Sequence, residues 1–494
     1  MIFKREEQFF LRVITLGVAP RILTVGLTTV SLALMLRSVG LKEYGVFVFI
    51  NSISGFFSLA IDFGIAATAG RAIATARAEK PETVLLEVRN WLISRVFVSS
   101  VLTIPVLLLF FALVKFGIMD EVETKTILLV VLSVLLGPIV DVQRRIMTSL
   151  LAFGQVAIRD TIQSLLRSLG WFTVAFFLPS AFGLFLAASI LSLLSVLIGI
   201  FQIKQVLKAY PDDTIPWRVS FSELPIFSRR QIRTMLGYLG LTSGGRFFKD
   251  APPVLIKLAL GYEAAGLLGS AQKIVELAGV PFSIIGNGLK VRAREITIMG
   301  TGASPKLLDK MFRISVLAGV VSICFWFLSE YIGKLLLPDQ QRSALVFSIF
   351  APALLFRAWS DLFAPTSDYV GALSGRIRLL WVCSILQIPI IWFFSAKFGD
   401  FGGMASIVAC LGVLCLGYVT ICVRVLSNGQ SYRMASDILL AGGAVLISAV
   451  VAFLSVENEF ARLAVFLGVF LVAVFSLPSL RQNFGNGSVL KYDF

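Results

Sequence analysis

The chain has 494 residues, 57% hydrophobic and 15% charged, with 44 Lys and Arg against 29 Asp and Glu for a formal net charge of +15. Its apolar residues come in runs of about twenty separated by short charged clusters, the pattern of a polytopic helical membrane protein. The basic excess is therefore read as topology, and nucleic-acid binding, which needs a basic soluble domain, is excluded. With no histidine in the chain, Ser-His-Asp triads, Cys-His dyads and His-ligated zinc are also excluded, and no cofactor or metal is expected.

Residues 1–12, MIFKREEQFFLR, carry both signs and read as a short interfacial helix before a retained first span, because the apolar run that follows is too long for a signal-peptide core. Runs of roughly 18 to 28 apolar residues then place about fourteen spans. They fall near 11–36, 45–69, 92–116, 126–150, 158–179, 183–206, 234–259, 263–288, 311–336, 343–370, 377–397, 402–425, 436–455 and 460–479. The expected organisation is all-α: an N-terminal six-helix lobe over 1–207, a cytoplasmic linker over 208–233 with Pro211, Pro216 and Pro225, and a C-terminal six-helix lobe over 234–426. Two additional transmembrane helices and a cytoplasmic tail occupy 427–494. Cys324, Cys383, Cys410, Cys415 and Cys422 stand in apolar runs without C-x-x-C spacing and read as small core residues.

With alternating spans, one side collects Lys4 and Arg5, Arg71 to Arg95, Arg144, Arg145 and Arg159, and the basic clusters of 204–233 and 290–313. The other side holds only scattered cations such as Arg37, Lys42, Lys115 and Lys125. The positive-inside rule then puts both termini in the cytoplasm. The chain also repeats at a spacing of 221 residues: Gly40-Leu-Lys-Glu-Tyr-Gly45 matches Gly261-Tyr-Glu-Ala-Ala-Gly266, Arg71 matches Arg292, and Gly154 matches Gly375. Six spans map onto six in the same orientation, which predicts parallel repeats with a substrate path between them.

Charges inside spans are the candidates for function, because each Arg, Lys or Asp at a helix centre costs roughly 2.5 to 3.5 kcal/mol on insertion scales. In chain order, span one has Arg21 beside Pro20. Span two has Asp62, which reads either as an ion-coupling carboxylate or as the cap of a helix break before Gly64. Span four ends in Asp141, Arg144 and Arg145, where topology or snorkelling competes with ion coupling by Asp141. Span five carries Asp160, Gln163 and Arg167 at i, i+3 and i+7.

Span seven is the densest: Thr242, Arg246, Lys249, Asp250 and Lys257 form one stripe, the wall of a polar cavity, and Arg246 with Lys249 can grip a phosphate in a low-dielectric site. Span eight offers Lys273 and Glu276 at i, i+3. In span ten Arg357, Asp361 and Asp368 share a face broken by Pro365. For both of these spans an internal salt bridge and a cavity role remain alternatives.

Six plus six spans in parallel repeats, the G-x-x-x-x-G turn after the first span of each half, Asp62-Phe-Gly64 in span two and Leu337-Pro-Asp339 after span nine together resemble the multidrug/oligosaccharidyl-lipid/polysaccharide exporter superfamily. Within it the chain looks like the polysaccharide transporter branch, flippases of lipid-linked sugar repeat units, although Leu289-Lys-Val-Arg292 stands where many homologues have a proline. The resemblance implies a non-enzymatic transporter of the bacterial inner membrane that moves an undecaprenyl-pyrophosphate-linked oligosaccharide by alternating access, for O-antigen, capsule or exopolysaccharide.

Its implied partners are that lipid-linked cargo, membrane lipids, and the polysaccharide polymerase and chain-length machinery. Coupling would be to a proton or sodium gradient. Arg246 and Lys249 would hold pyrophosphate or acidic sugar groups, Arg357 and Arg21 would line the opposite wall with Lys273 and Arg167 in the cavity, and Asp250 and Asp361 would orient the bases. A lipid II flippase, a cation-coupled multidrug antiporter of the same superfamily and, last, a membrane glycosyltransferase are the alternatives.

Overall fold

The computed structural model describes residues 24–117, 124–208, 229–283, 285–286, 304–337, 342–369 and 372–426. Residues 1–12, Arg21, most of the proline-bearing linker, Pro338 and Asp339, the Leu289–Arg292 stretch, the two spans expected beyond residue 427 and the side chain of Asp368 lie outside the described residues.

Every described element is a helix, with no strand among the described residues. In order they are α1 (Thr24–Val39), α2 (Leu41–Asp62), α3 (Ile65–Glu79), α4 (Val84–Lys115), α5 (Thr124–Ser149), α6 (Phe153–Phe177), α7 (Ala181–Leu207), α8 (Arg229–Leu260), α9 (Tyr262–Ala278), α10 (Ser304–Leu336), α11 (Arg342–Tyr369) and α12 (Leu373–Leu426). Six of them, α4, α5, α7, α10, α11 and α12, are long and apolar enough to cross a membrane, and the pair α1 and α2, bent by 115° at Gly40, passes the same test together. Outward-facing Ile104, Leu108, Phe176, Phe177, Phe201 and Phe393 are exposed. Apolar faces on that scale would drive association in water; on a multi-pass membrane protein they meet acyl chains.

Lipid tails are as apolar as leucine, so helix association rests on small residues and hydrogen bonds. The hydroxyls of Thr28 and Ser168, 3.0 Å apart, join α1 to α6, and those of Ser133 and Ser189, also 3.0 Å apart, join α5 to α7. Glu43 of α2 accepts a 2.8 Å hydrogen bond from the Ala181 amide and so caps α7, whose Ser180 hydroxyl accepts from Gly183.

The chain divides into two compact units. One takes in the described residues within Ala19–Ser270 and Leu335–Gln340, the other those within Ala271–Lys334 and from Gln341 onward. The first unit holds two apolar clusters, one around Phe49, Ile50, Phe110, Val130 and Phe185, the other around Ile65, Trp91, Val142, Met147, Leu207 and Met235. Within it α8 runs antiparallel to α2 along its whole length: the Met235 carbonyl meets Gly64, Phe247 meets Phe56, Asp250 meets Gly55, and the Tyr262 carbonyl at the start of α9 meets Gly45.

In the second unit Phe282, Ala318, Leu355 and Ala358 pack together. Thiols lock α12 to α11: Cys415 donates to the Phe356 carbonyl and Cys422 to that of Phe363, each at 3.0 Å. Four cysteines are buried as expected, whereas Cys324 is exposed on α10, a face where a thiol is apolar enough to meet lipid.

Prolines interrupt less than the sequence suggests. Pro365 was expected to break span ten, but α11 continues through it to Tyr369. The carbonyl that Pro365 leaves without its usual donor is that of Asp361, and this is where Gly286 packs closest. Pro252 and Pro253 likewise lie inside an unbroken α8. The real breaks are at glycine: α2 ends at Phe63 (φ 45°) and Gly64 (φ 74°), and α12 kinks at Gly399 (φ 63°), between the two spans expected there.

Candidate functional site

The break at the end of α2 is held by a residue that the positive-inside count placed on the cytoplasmic side. Arg95 of α4 is 0% exposed; its Nη1 donates to the Ile61 carbonyl at 2.8 Å and the Asp62 carbonyl at 3.2 Å, and stands 3.6 Å from the Asp62 carboxylate. A helix that stops inside a membrane leaves its last carbonyls without donors, and the guanidinium supplies them while neutralising the negative end of the helix dipole. Asp62 therefore sits at a helix break that Arg95 caps, and its own side chain, expected either to cap that break or to couple an ion, is paired with Arg95.

In the same unit, Arg159 of α6 is similarly sealed at 1% exposure, donating to Gln143 Oε1 at 2.9 Å and the Ser195 carbonyl at 3.2 Å. Gln143 in turn donates to the Val196 carbonyl at 3.1 Å. Gly199 of α7 leaves the space that the Gln143 side chain fills. Both arginines correct the topology count: they are interior residues that tie α4 to α2 and α6 to α5 and α7. The signal was present in the sequence, since both fall inside the expected spans 92–116 and 158–179.

Against these committed bases, the α8 charges divide. Lys257 lies between two rings, 4.9 Å from the Phe49 centroid and 4.8 Å from that of Tyr262, a cation–π seat that pins the last turn of α8 to α2 and α9. Asp250 packs against α2 at Gly55, where a Cβ would collide with its carboxylate. Neither is an open cavity wall, so the expected single stripe splits.

Arg246 and Lys249 remain open. Lys249 is exposed, and Arg246, with a side chain 39% exposed, approaches Asp141 of α5 at 3.5 Å, the carboxylate side chain being 53% exposed. Beside them Arg144 is paired to Asp160 of α6 at 2.7 Å. The chemistry Arg246 offers here is reversible capture of an anion, since its guanidinium is held by one long contact to a carboxylate.

The remaining sequence candidates lie elsewhere. Arg167 is exposed on α6. In the second unit Lys273 pairs with Glu276 at 3.1 Å and Arg357 with Asp361 at 3.4 Å, both local pairs within one helix and both partly open. Gly279 packs against the Arg357 side chain. The structure thus brings Asp62, Arg95, Asp141 and Arg246 into one unit and places Lys273, Arg357 and Asp361 in the other.

Comparison with known proteins agrees with this architecture. A family model described as polysaccharide biosynthesis protein matches residues 13–287. No curated protein matches by sequence. Among solved structures, the lipid II flippase MurJ in an inward closed conformation superposes with a TM-score of 0.57 at 13% identity, covering 95% of this chain and 99% of its own. An inward-facing multidrug resistance transporter of the MATE family gives 0.58 at 14% identity, over 83% and 96%. A MOP superfamily transporter from Pyrococcus furiosus, described as having a binding pocket of reversed polarity, gives 0.59 at 11% identity, over 85% and 95%. The resemblance read from the sequence holds at the level of family and fold: the chain belongs to the polysaccharide biosynthesis protein family and carries the helical fold of the MOP superfamily transporters.

Proposed function

We propose that the protein is a flippase that carries an undecaprenyl-pyrophosphate-linked oligosaccharide repeat unit from the cytoplasmic to the outer face of the bacterial inner membrane by alternating access, making and breaking no covalent bond. The observation that carries this reading is Arg246 of α8, open to solvent and held by one 3.5 Å contact to Asp141, in a polysaccharide biosynthesis family member. A guanidinium held by a single long contact can take up phosphate oxygens, which its planar fork grips with two parallel hydrogen bonds. Both termini lie in the cytoplasm on this reading, the transport step draws on a proton or sodium gradient, and the delivered unit passes to a polymerase and its chain-length machinery.

Deleting the gene tests it. The expected result is loss of one surface polysaccharide with its lipid-linked repeat unit accumulating in the membrane, restored by the wild-type gene. Unchanged surface polymer with arrested peptidoglycan synthesis would instead assign the protein to lipid II, and resistance changes alone would assign it to drug export.

A further inference from the structure

The ion pair between Arg246 and Asp141 differs from its neighbours in ways that bear on how an anion is let go. Arg95 gives its Nη1 to two α2 carbonyls at 2.8 and 3.2 Å, Arg159 is bound to Gln143 and Ser195, and Arg144 holds Asp160 at 2.7 Å. Arg246 reaches Asp141 only at 3.5 Å, with both side chains substantially open, and the pair joins α8 to α5 across 105 residues of sequence rather than closing within one helix. A single long contact is the weak form of an arginine–carboxylate interaction; two parallel hydrogen bonds to one anionic group are the strong form. Arg144 is open as well, with a side chain 53% exposed, but Asp160 holds it at 2.7 Å, so Arg246 is the open guanidinium beside Asp141 that has only a long contact.

We propose that Asp141 is an internal counter-ligand: its carboxylate occupies Arg246 while the site is empty and is displaced by the phosphate of the cargo headgroup, so that Asp141 sets how readily that headgroup is released. The inference rests on the flippase reading. A transporter gains nothing from holding its cargo too tightly, and a competing internal carboxylate lowers apparent affinity by the fraction of molecules in which it holds the arginine. Arg144, one turn along α5 from Asp141, is itself taken up by Asp160 at 2.7 Å. Asp250 is lodged against Gly55 and is not the competitor.

The test is equilibrium binding of inorganic pyrophosphate to the full-length protein in nanodiscs of neutral lipid. An exposed pair of this kind is worth about 0.2 to 1 kcal/mol, so Asp141→Asn is expected to tighten binding about 2- to 6-fold. Asp141→Glu should behave as wild type, and Arg246→Ala should weaken binding about tenfold. The double variant Arg246→Ala/Asp141→Asn should bind like Arg246→Ala alone, a non-additivity that a merely structural role for Asp141 would not produce. Asp141→Ser serves if Asn misfolds.

If Asp141→Asn and Asp141→Ser bind no tighter than wild type while Arg246→Ala still weakens binding, the counter-ligand is wrong and the flippase reading stands. If Arg246→Ala binds as wild type does, or if neither wild type nor Asp141→Asn binds pyrophosphate, the flippase reading itself fails at this site. If adding anionic phosphatidylglycerol to the nanodiscs abolishes binding, the site is one for bulk lipid headgroups and the cargo assignment is overturned.

Discussion

Arginine on its own says little about position in this protein; what it is bound to says a great deal. Arg95 and Arg246 differ by 151 positions in the same unit, yet one is sealed against the carbonyl end of a broken helix and the other is open beside a distant carboxylate. The first reads as architecture and the second as chemistry. Removing Arg95 would leave the Ile61 carbonyl and the Asp62 carboxylate without their cation in a dry site, a loss of about 3 kcal/mol. The expected outcome is that Arg95→Gln lowers the thermal denaturation midpoint of the detergent-solubilised protein while Arg95→Lys recovers part of it. Equal melting of Arg95→Gln and wild type would show that the α2 break needs no cap.

The sequence showed the residues that would matter in α8 because charge in an apolar run is rare. It could not show which were spoken for. Lys257 and Arg246 look alike on a helical wheel, and only the rings of Phe49 and Tyr262 distinguish them. Arg95 and Arg159 were misjudged for the opposite reason: they stand near the ends of their spans, where topology offers an easy explanation.

At the level of the helix, glycine does the work that the sequence attributed to proline. Gly40 and Gly261 both take left-handed backbone, with φ of 81° and 95°, at the start of the two G-x-x-x-x-G turns. Gly45 and Gly266, at the other ends of those turns, lie back to back: a Cβ on Gly45 would strike the Tyr262 carbonyl and come to 3.0 Å from the Gly266 amide, and one on Gly266 would strike the Leu41 carbonyl. The helices can cross there only as bare backbone.

Gly45→Val is therefore expected to force α2 and α9 apart at a cost of about 1 to 3 kcal/mol, read as a lower midpoint in the same melting assay. Gly154→Val, where no atom lies within 4 Å of the added Cβ, should be far milder. Equal effects of the two substitutions would remove the crossing from the account. Pro365 was a poor guide to a helix break, since a lost hydrogen bond inside a span is tolerated where neighbouring backbone packs closely. The all-helical class and the long apolar helices among the described residues were legible from apolar run length, whereas the expected span two divides at Gly64 into α2 and α3, and α8 is not among the helices apolar enough to cross.

For the molecule as a whole, composition settled the class, family and fold followed from the motifs, and the proposed cargo rests on Arg246 with Lys249 one turn along α8. The most direct measurement is translocation of a fluorescent undecaprenyl-pyrophosphate-linked oligosaccharide across proteoliposomes containing the purified protein. Wild type is expected to flip it, and Arg246→Ala/Lys249→Ala, inserted normally, is expected to do so about tenfold more slowly or worse. Translocation by the double variant at the wild-type rate would contradict the account.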